Sequence, residues 1–163
     1  MSSPIVSTFQ PGRVGELRFD PFAMLPFCGY NMADYFGYWL EIGKRADAEK
    51  LPRVFHVNWF RKDDSGRFLW PGFGENSRVL AYIFRRCDDE AEAVESPIGL
   101  LPADAALDIE GLDVSADDLA QLLAVDPEQL QAQLPQVREH LAIFGDRLPQ
   151  GVRNQLEALE RRL

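Results

Sequence analysis

Long apolar runs are missing from this chain. No stretch approaches the roughly 20 consecutive apolar residues that a membrane-spanning helix requires, and the first residues lack a basic flank followed by an apolar segment. A soluble, cytoplasmic protein with no membrane partner is therefore expected. Basic residues are also scarce: 17 Lys and Arg face 26 Asp and Glu, a net charge of −9. Sequence-independent affinity for nucleic acid rests on many basic side chains displacing counterions, so no nucleic-acid partner is expected. Cys28 and Cys87 are the only cysteines, and they lack the Cys-x-x-Cys spacing of a redox or metal motif. Both sit among apolar neighbours and are expected as reduced, buried thiols. His56 reads as a structural histidine and His140 as a surface residue, so no metal site is expected in this chain.

What remains is a chain of 163 residues, 46% hydrophobic. A chain of that length buries about two thirds of the surface its unfolded state exposes, enough for a core without disulfide or metal staples. Charge is unevenly spread. Residues 1–87 hold 12 basic and 9 acidic side chains, whereas residues 88–163 hold 5 basic and 17 acidic. Any handling of anions therefore belongs to the first half. Aromatics divide the same way, since every Trp, every Tyr and all Phe except Phe144 precede residue 88. The second half is Leu, Ala, Gln and carboxylate, a composition of solvated amphipathic helices.

Residues 1–18 show no periodicity and carry Pro4, Pro11, Gly12 and Gly15, the mark of a mobile loop. Asn31 is a good helix cap, and Met32, Phe36, Trp39, Leu40 and Gly43 recur at helical spacing, predicting a helix over 32–45. RVFHVNWF, residues 53–60, is rich in β-branched and aromatic types and predicts a strand with Phe55, Val57 and Trp59 on one face. Ser77 reads as the cap of a helix over 77–87, with Val79, Leu80, Ile83, Phe84 and Cys87 on one face. The acidic half reads as helical hairpins with three helices. Ser115 and Asp118 form a capping pair; Asp126-Pro127 starts a second helix along Leu130, Leu134, Val137 and Leu141; Pro149 precedes a third along Val152, Leu156, Leu159 and Leu163. The fold class expected is α/β, mixed and helix-rich.

Between Trp59 and Arg78 the chain reads WFRKDDSGRFLWPGFGENSR. Trp59, Phe60, Phe68, Trp70 and Phe73 fall within fifteen positions, with Gly66, Pro71, Gly72 and Gly74 among or beside them. A packed core prefers aliphatic residues at one period. Aromatics set around turns can instead admit a planar ligand between two rings, each stack being worth about 1 to 3 kcal/mol by analogy with base stacking. Asn76 carries both a donor and an acceptor and could pair with a purine edge, while the helix start at Ser77 presents N–H groups that suit an anion. Arg61, Lys62 and Arg78 are either phosphate-steering groups or solvated charges. From the residues alone, a nucleotide-base pocket and a plain aromatic minicore both remain open.

FDPFAMLPFCGYN (Phe19 to Asn31), LPRVFHVNWFRKD (Leu51 to Asp63) and FLWPGFGENSRVL (Phe68 to Leu80) occur in that order. In sequence and spacing they resemble the C-terminal part of the GTP-dependent phosphoenolpyruvate carboxykinases, a similarity covering about residues 13–163. The resemblance implies a C-terminal fragment of a larger nucleotide-binding α/β domain, with few strands and about five helices. It divides the chain into a lid-like mobile segment (1–18), a guanine-binding portion (19–87) and an acidic C-terminal helical region (88–163). The family converts oxaloacetate and GTP into phosphoenolpyruvate, carbon dioxide and GDP, in gluconeogenesis. Carried over, the resemblance makes Phe60 and Phe73 the two faces of a guanine clamp, with Phe68 at the ring edge, Asn76 reading the guanine edge and Trp59 beside the clamp. GTP or GDP is the ligand implied. Magnesium or manganese serves the complete enzyme, with its ligands outside this chain.

The resemblance also implies what the chain cannot do alone. The family's phosphate-binding loop, metal ligands and oxaloacetate-binding arginines lie upstream, and this sequence has no Gly-rich loop ending in Gly-Lys-Ser or Gly-Lys-Thr. The chain alone is expected to be catalytically incompetent and to have the amino-terminal part of the same enzyme as its partner. The alternative is a self-contained, non-catalytic binding or interaction module with a carboxykinase-like fold. The lid-like stretch STFQPGRVGE, Ser7 to Glu16, has bulkier residues than the family's lid. An orphan sheet edge is expected where the absent amino-terminal strands would pair, and with it self-association of the isolated chain.

Overall fold

The computed structural model describes residues 27, 29–45 and 47–163. The expected lid segment and Cys28 lie outside the described residues. Five α-helices and one hairpin follow in chain order: α1 Met32–Arg45, α2 Asn76–Cys87, β1 Ala93–Ser96, β2 Gly99–Pro102, α3 Ala116–Leu123, α4 Pro127–Ala142 and α5 Gln150–Arg162. The protein is thus mixed α/β and helix-rich. Contacts group the chain into two units, one of residues up to Leu51 with Glu128–Leu163 and the other of Pro52–Pro127. Both draw on the basic and the acidic half.

In the first unit α1 starts where the sequence predicts. Asn31 is buried, and its Oδ1 accepts from the Ala33 N–H at 2.9 Å while its carbonyl accepts from the Asp34 N–H at 2.9 Å. The core is built on Ala33, Phe144 and Leu148, with Met32, Phe36, Leu141 and Val152 packed against them. Phe36 meets Phe144 edge to face, ring centroids 5.5 Å apart, a pairing worth about 0.5–1.5 kcal/mol beyond its burial. The predicted apolar faces of α4 and α5 supply Leu134, Leu141 and Val152 to the interior, although Val137 stays exposed. α1 approaches the start of α5 so closely that a Cβ at Gly151 would come within 2.8 Å of Leu40 Cδ1. Arg138 bonds Glu160 at 2.6 Å and Arg147 bonds Asp34 at 2.9 Å, joining elements distant in sequence.

The second unit contains the expected strand, and here the expectation fails. Residues 52–58 carry no regular secondary structure and have no ladder partner among the described residues, and Val54 is 92% exposed. Side-chain type favours the extended backbone; a strand also needs a neighbour to complete its hydrogen bonds. The sheet forms elsewhere. β1 and β2 pair antiparallel, Ala93 opposite Pro102 through Ser96 opposite Gly99, around a Pro97-Ile98 turn. This hairpin lies in the half expected to be wholly helical.

The face predicted for α2 is also divided. Val79 and Ile83 are half-buried, whereas Leu80, Phe84 and Cys87, at steps of four and three, point to solvent, and the buried residue of the helix is Tyr82, which is not on the predicted face. Cys87 is therefore a free, exposed thiol, not a buried one: it closes the helix on the outward side of a face that the periodicity alone treats as one. Ser115 and Asp118 do form a reciprocal capping box at the start of α3.

Candidate functional site

The aromatic segment begins with a tight local fold. The Phe60 N–H donates to Asn58 Oδ1 at 2.9 Å, forming a turn at Trp59-Phe60. Beyond it, Lys62 and Phe68 form a single antiparallel bridge, flanked by backbone bonds from the Leu69 N–H to the Arg61 carbonyl and from the Asp63 N–H to the Arg67 carbonyl, both 3.0 Å. Asp63 closes the loop, its Oδ1 accepting from the Ser65 N–H, the Ser65 hydroxyl and the Arg67 N–H at 2.7–3.0 Å. This miniature hairpin puts Phe60 and Phe68 at one end. Their rings lie edge to face with centroids 6.4 Å apart.

Two charged anchors hold the hairpin against α3. Arg61 Nη1 donates to the Leu122 and Ala124 carbonyls at 3.2 and 2.8 Å, occupying orphan acceptors at the C-terminal end of α3. Arg67 bonds Asp63 Oδ2 at 3.0 Å and the buried Asp118 at 2.5 Å. Hydrogen bonds from Arg67, then from the Ser115 backbone and hydroxyl, hold the Asp118 carboxyl at about 2, overcoming burial, which acts in the opposite direction. The three candidate phosphate-steering cations are all engaged. Arg61 is on carbonyls, Lys62 Nζ sits 4.4 Å from the Phe68 ring centroid, and Arg78 bridges Glu75 and Asp108 at 2.6 and 3.0 Å.

After the hairpin the chain dives inward at Leu69 and Trp70, which is 4% exposed, and then out again. Gly72 takes φ 77, ψ −164, a combination essentially confined to glycine. Phe73 follows at φ 45, a left-handed conformation rare for an aromatic residue, and its side chain is 96% exposed. A 3-10 turn over Phe73–Glu75 then runs directly into α2. The expected cap at Ser77 is not formed: the turn places Ser77 inside the helix, where its hydroxyl donates to the Gly74 carbonyl at 2.6 Å. The Glu75 and Asn76 N–H groups are already bonded to carbonyls of Gly72, Phe73 and Gly74, which weakens the case for an anion at this helix start.

The five candidate residues are therefore arranged as follows. Phe60 and Phe68 touch each other, and Phe60 is 74% exposed. Phe73 makes no ring contact with either among the described residues. Trp59 is half-buried, and its buried Nε1 finds no acceptor among the described residues. Asn76 is half-buried at the first turn of α2, and its Oδ1 accepts from Trp70 Nε1 at 3.0 Å. Sequence reasoning misses that last bond. Its signal is a donor-only indole six positions before an amide, across a turn tight enough to return the chain.

Elsewhere in this unit an open groove of about 800 Å³ is lined by Leu119 and Leu123 of α3 with Arg85, Asp104, Leu107 and Ile109. None of the aromatic candidates lines it. Among the described residues no group of three or more His, Cys, Asp and Glu is placed to hold a metal ion, and no helix is long and apolar enough to cross a membrane.

Residues 2–162 match the family described as the phosphoenolpyruvate carboxykinase C-terminal P-loop domain. The whole chain is 52% identical to the phosphoenolpyruvate carboxykinase (GTP) of Treponema pallidum subsp. pallidum. Over 91% of its length it is 56% identical to the protein of the same name from Neocallimastix frontalis, and over 93% it is 50% identical to that from Chlamydia muridarum. The chain spans about a quarter of the length of these relatives, between 24% and 26%.

Proposed function

Because the chain belongs to the phosphoenolpyruvate carboxykinase C-terminal P-loop domain family, we propose that its aromatic segment binds the base of GTP or GDP. In this reading the chain serves a GTP-dependent carboxykinase that converts oxaloacetate to phosphoenolpyruvate, a step of gluconeogenesis. Phe60 and Phe73 are the stacking faces, Phe68 the edge contact, Asn76 the edge reader and Trp59 the flank.

The observation that carries the reading is Phe73. A left-handed backbone costs an ordinary residue about 1–2 kcal/mol, and an exposed Phe ring forgoes about 1.5–3 kcal/mol of burial. Both effects oppose keeping Phe here for stability, and Trp70, three residues earlier, shows how this loop buries an aromatic when packing is the purpose. A ring held out on a constrained turn suits a planar ligand. In the natural gene product carrying this sequence, Phe73→Ala should leave the melting temperature nearly unchanged and weaken GTP, GDP and ATP together, by about tenfold or more at the stacking energies of bases on aromatics. Unaltered nucleotide titrations would overturn the reading.

The chemistry of phosphoryl transfer requires groups other than these. In this reading the magnesium or manganese ligands of the family's reaction belong to an amino-terminal part of the same enzyme, which is the partner of this chain. The free, exposed Cys87 suits a reducing compartment, in keeping with a cytoplasmic location. The 163-residue chain alone should show no GTP-dependent consumption of oxaloacetate with either ion, because no loop of its own can cradle the β and γ phosphates. Turnover above background in a coupled assay would refute this.

A further inference from the structure

Asn76 by itself does not explain a preference for guanine. An asparagine amide presents a donor and an acceptor side by side, and rotating it by half a turn exchanges them. In one order it matches O6 and N1–H of guanine; in the other it matches the amino group and N1 of adenine. Selectivity therefore depends on what prevents the rotation. Trp70 does so: its Nε1–H has no acceptor capacity, lies in a residue 4% exposed, and bonds Asn76 Oδ1 at 3.0 Å. Turning the amide would set Nδ2–H against the indole N–H, two donors face to face, and leave the donor of the buried Trp70 without its acceptor. Trp70 is itself fixed by its neighbour Leu69, 2% exposed, whose N–H is tied to the Arg61 carbonyl. Asn76 Nδ2 makes no hydrogen bond among the described residues and is the end of the amide left to meet a ligand.

We infer that Trp70 is the positioning residue for base choice: without touching the nucleotide, it locks the Asn76 amide with its nitrogen toward guanine O6. The inference rests on the base-binding reading above. It makes the discrimination between GTP and ATP a property of a buried indole three residues away from the exposed clamp ring.

The test titrates GTP and ATP against the natural gene product and three variants. Trp70→Phe keeps an aromatic body and removes the donor, so the amide can turn; GTP affinity should fall, ATP affinity should hold or rise, and their ratio should narrow by about tenfold, the order expected for one mispaired buried group. A purely structural role for Trp70 would lower both affinities alike and leave the ratio unchanged, which would overturn the inference. Asn76→Asp tests the orientation without disturbing the core and remains decisive if Trp70→Phe fails to fold. Its carboxylate still accepts from Trp70, but where Nδ2 stood it now offers an acceptor, repelling guanine O6 and attracting the adenine amino group. The ratio should shift toward ATP. A ratio left unchanged by Asn76→Asp would mean that this side chain does not meet the base edge, and the inference would fall. Phe73→Ala separates the two levels: if it weakens every nucleotide while Trp70→Phe leaves the ratio intact, the base site stands and the role of Trp70 does not.

Discussion

At the scale of single residues, the division of labour between buried and exposed side chains is sharp. Asp118 is the clearest case of a buried group held for structure. It accepts from Arg67 on the aromatic hairpin and from Ser115 at the cap of α3, so one carboxylate joins a loop to a helix start. Because its pKa is depressed from the ordinary 3.8 to about 2, its ionised form stabilises the fold above pH 3.8, and that contribution disappears as the pH falls from 3.8 toward 2. Asp118→Asn should therefore melt below the natural protein at pH 6, with the gap closing across this acidic window. Thermal melts of both proteins from about pH 2 to 7 check it, and a gap independent of pH would exclude the ion pair as its source. Asn76 shows the limit of reading such residues from sequence. Its type announces a hydrogen-bonding edge, but the orientation of that edge is set by Trp70, whose role as core or ligand contact the sequence leaves open.

Among the elements, those with local causes are legible. α1 carries its cap, its apolar period and its basic last turn within a single stretch, and its predicted span of 32–45 is the one observed. The three helices of the acidic half are equally local, with Ser115, Pro127 and Pro149 at or next to their starts. Elements that depend on a distant partner are not. The Arg53–Phe60 run has the side chains of a strand, yet a strand is a relation between two segments, and the described residues supply only one. The β1–β2 hairpin escapes a sequence reading for the converse reason: Ala93–Ser96 is short and carries Glu95, and pairing makes it a strand despite its composition. The division of the α2 face between half-buried Val79 and Ile83 and exposed Phe84 likewise follows from what packs on it, which periodicity does not record. Of the candidate site, the residue types and their clustering in one loop are visible in the sequence; the hairpin, the turn at Gly72 and the indole–amide bond are not.

For the whole molecule, the balance between what is paired and what is left open governs behaviour in solution. The 52–58 run exposes Val54, Phe55 and Val57, and its backbone has no ladder partner among the described residues. Such an edge offers a second copy a template for strand pairing. The isolated chain should therefore associate as its concentration rises through about tens of micromolar, the range in which unpaired edges become hazardous. Val54→Lys, which charges the edge, should return it to a monomer. Sedimentation showing only monomer for the unaltered chain at those concentrations would dispose of the idea.

The exposed ring at Phe73 has a bearing on the history of the sequence. Asn and Gly tolerate a left-handed backbone more easily than Phe does, and either would relieve that turn at no loss to the core. In a lineage whose copy of this gene no longer meets a nucleotide, position 73 should drift to those residues early, while the neighbouring Leu69 and Trp70, needed for folding, persist. The order in which the loop decays would then record when the ligand was lost.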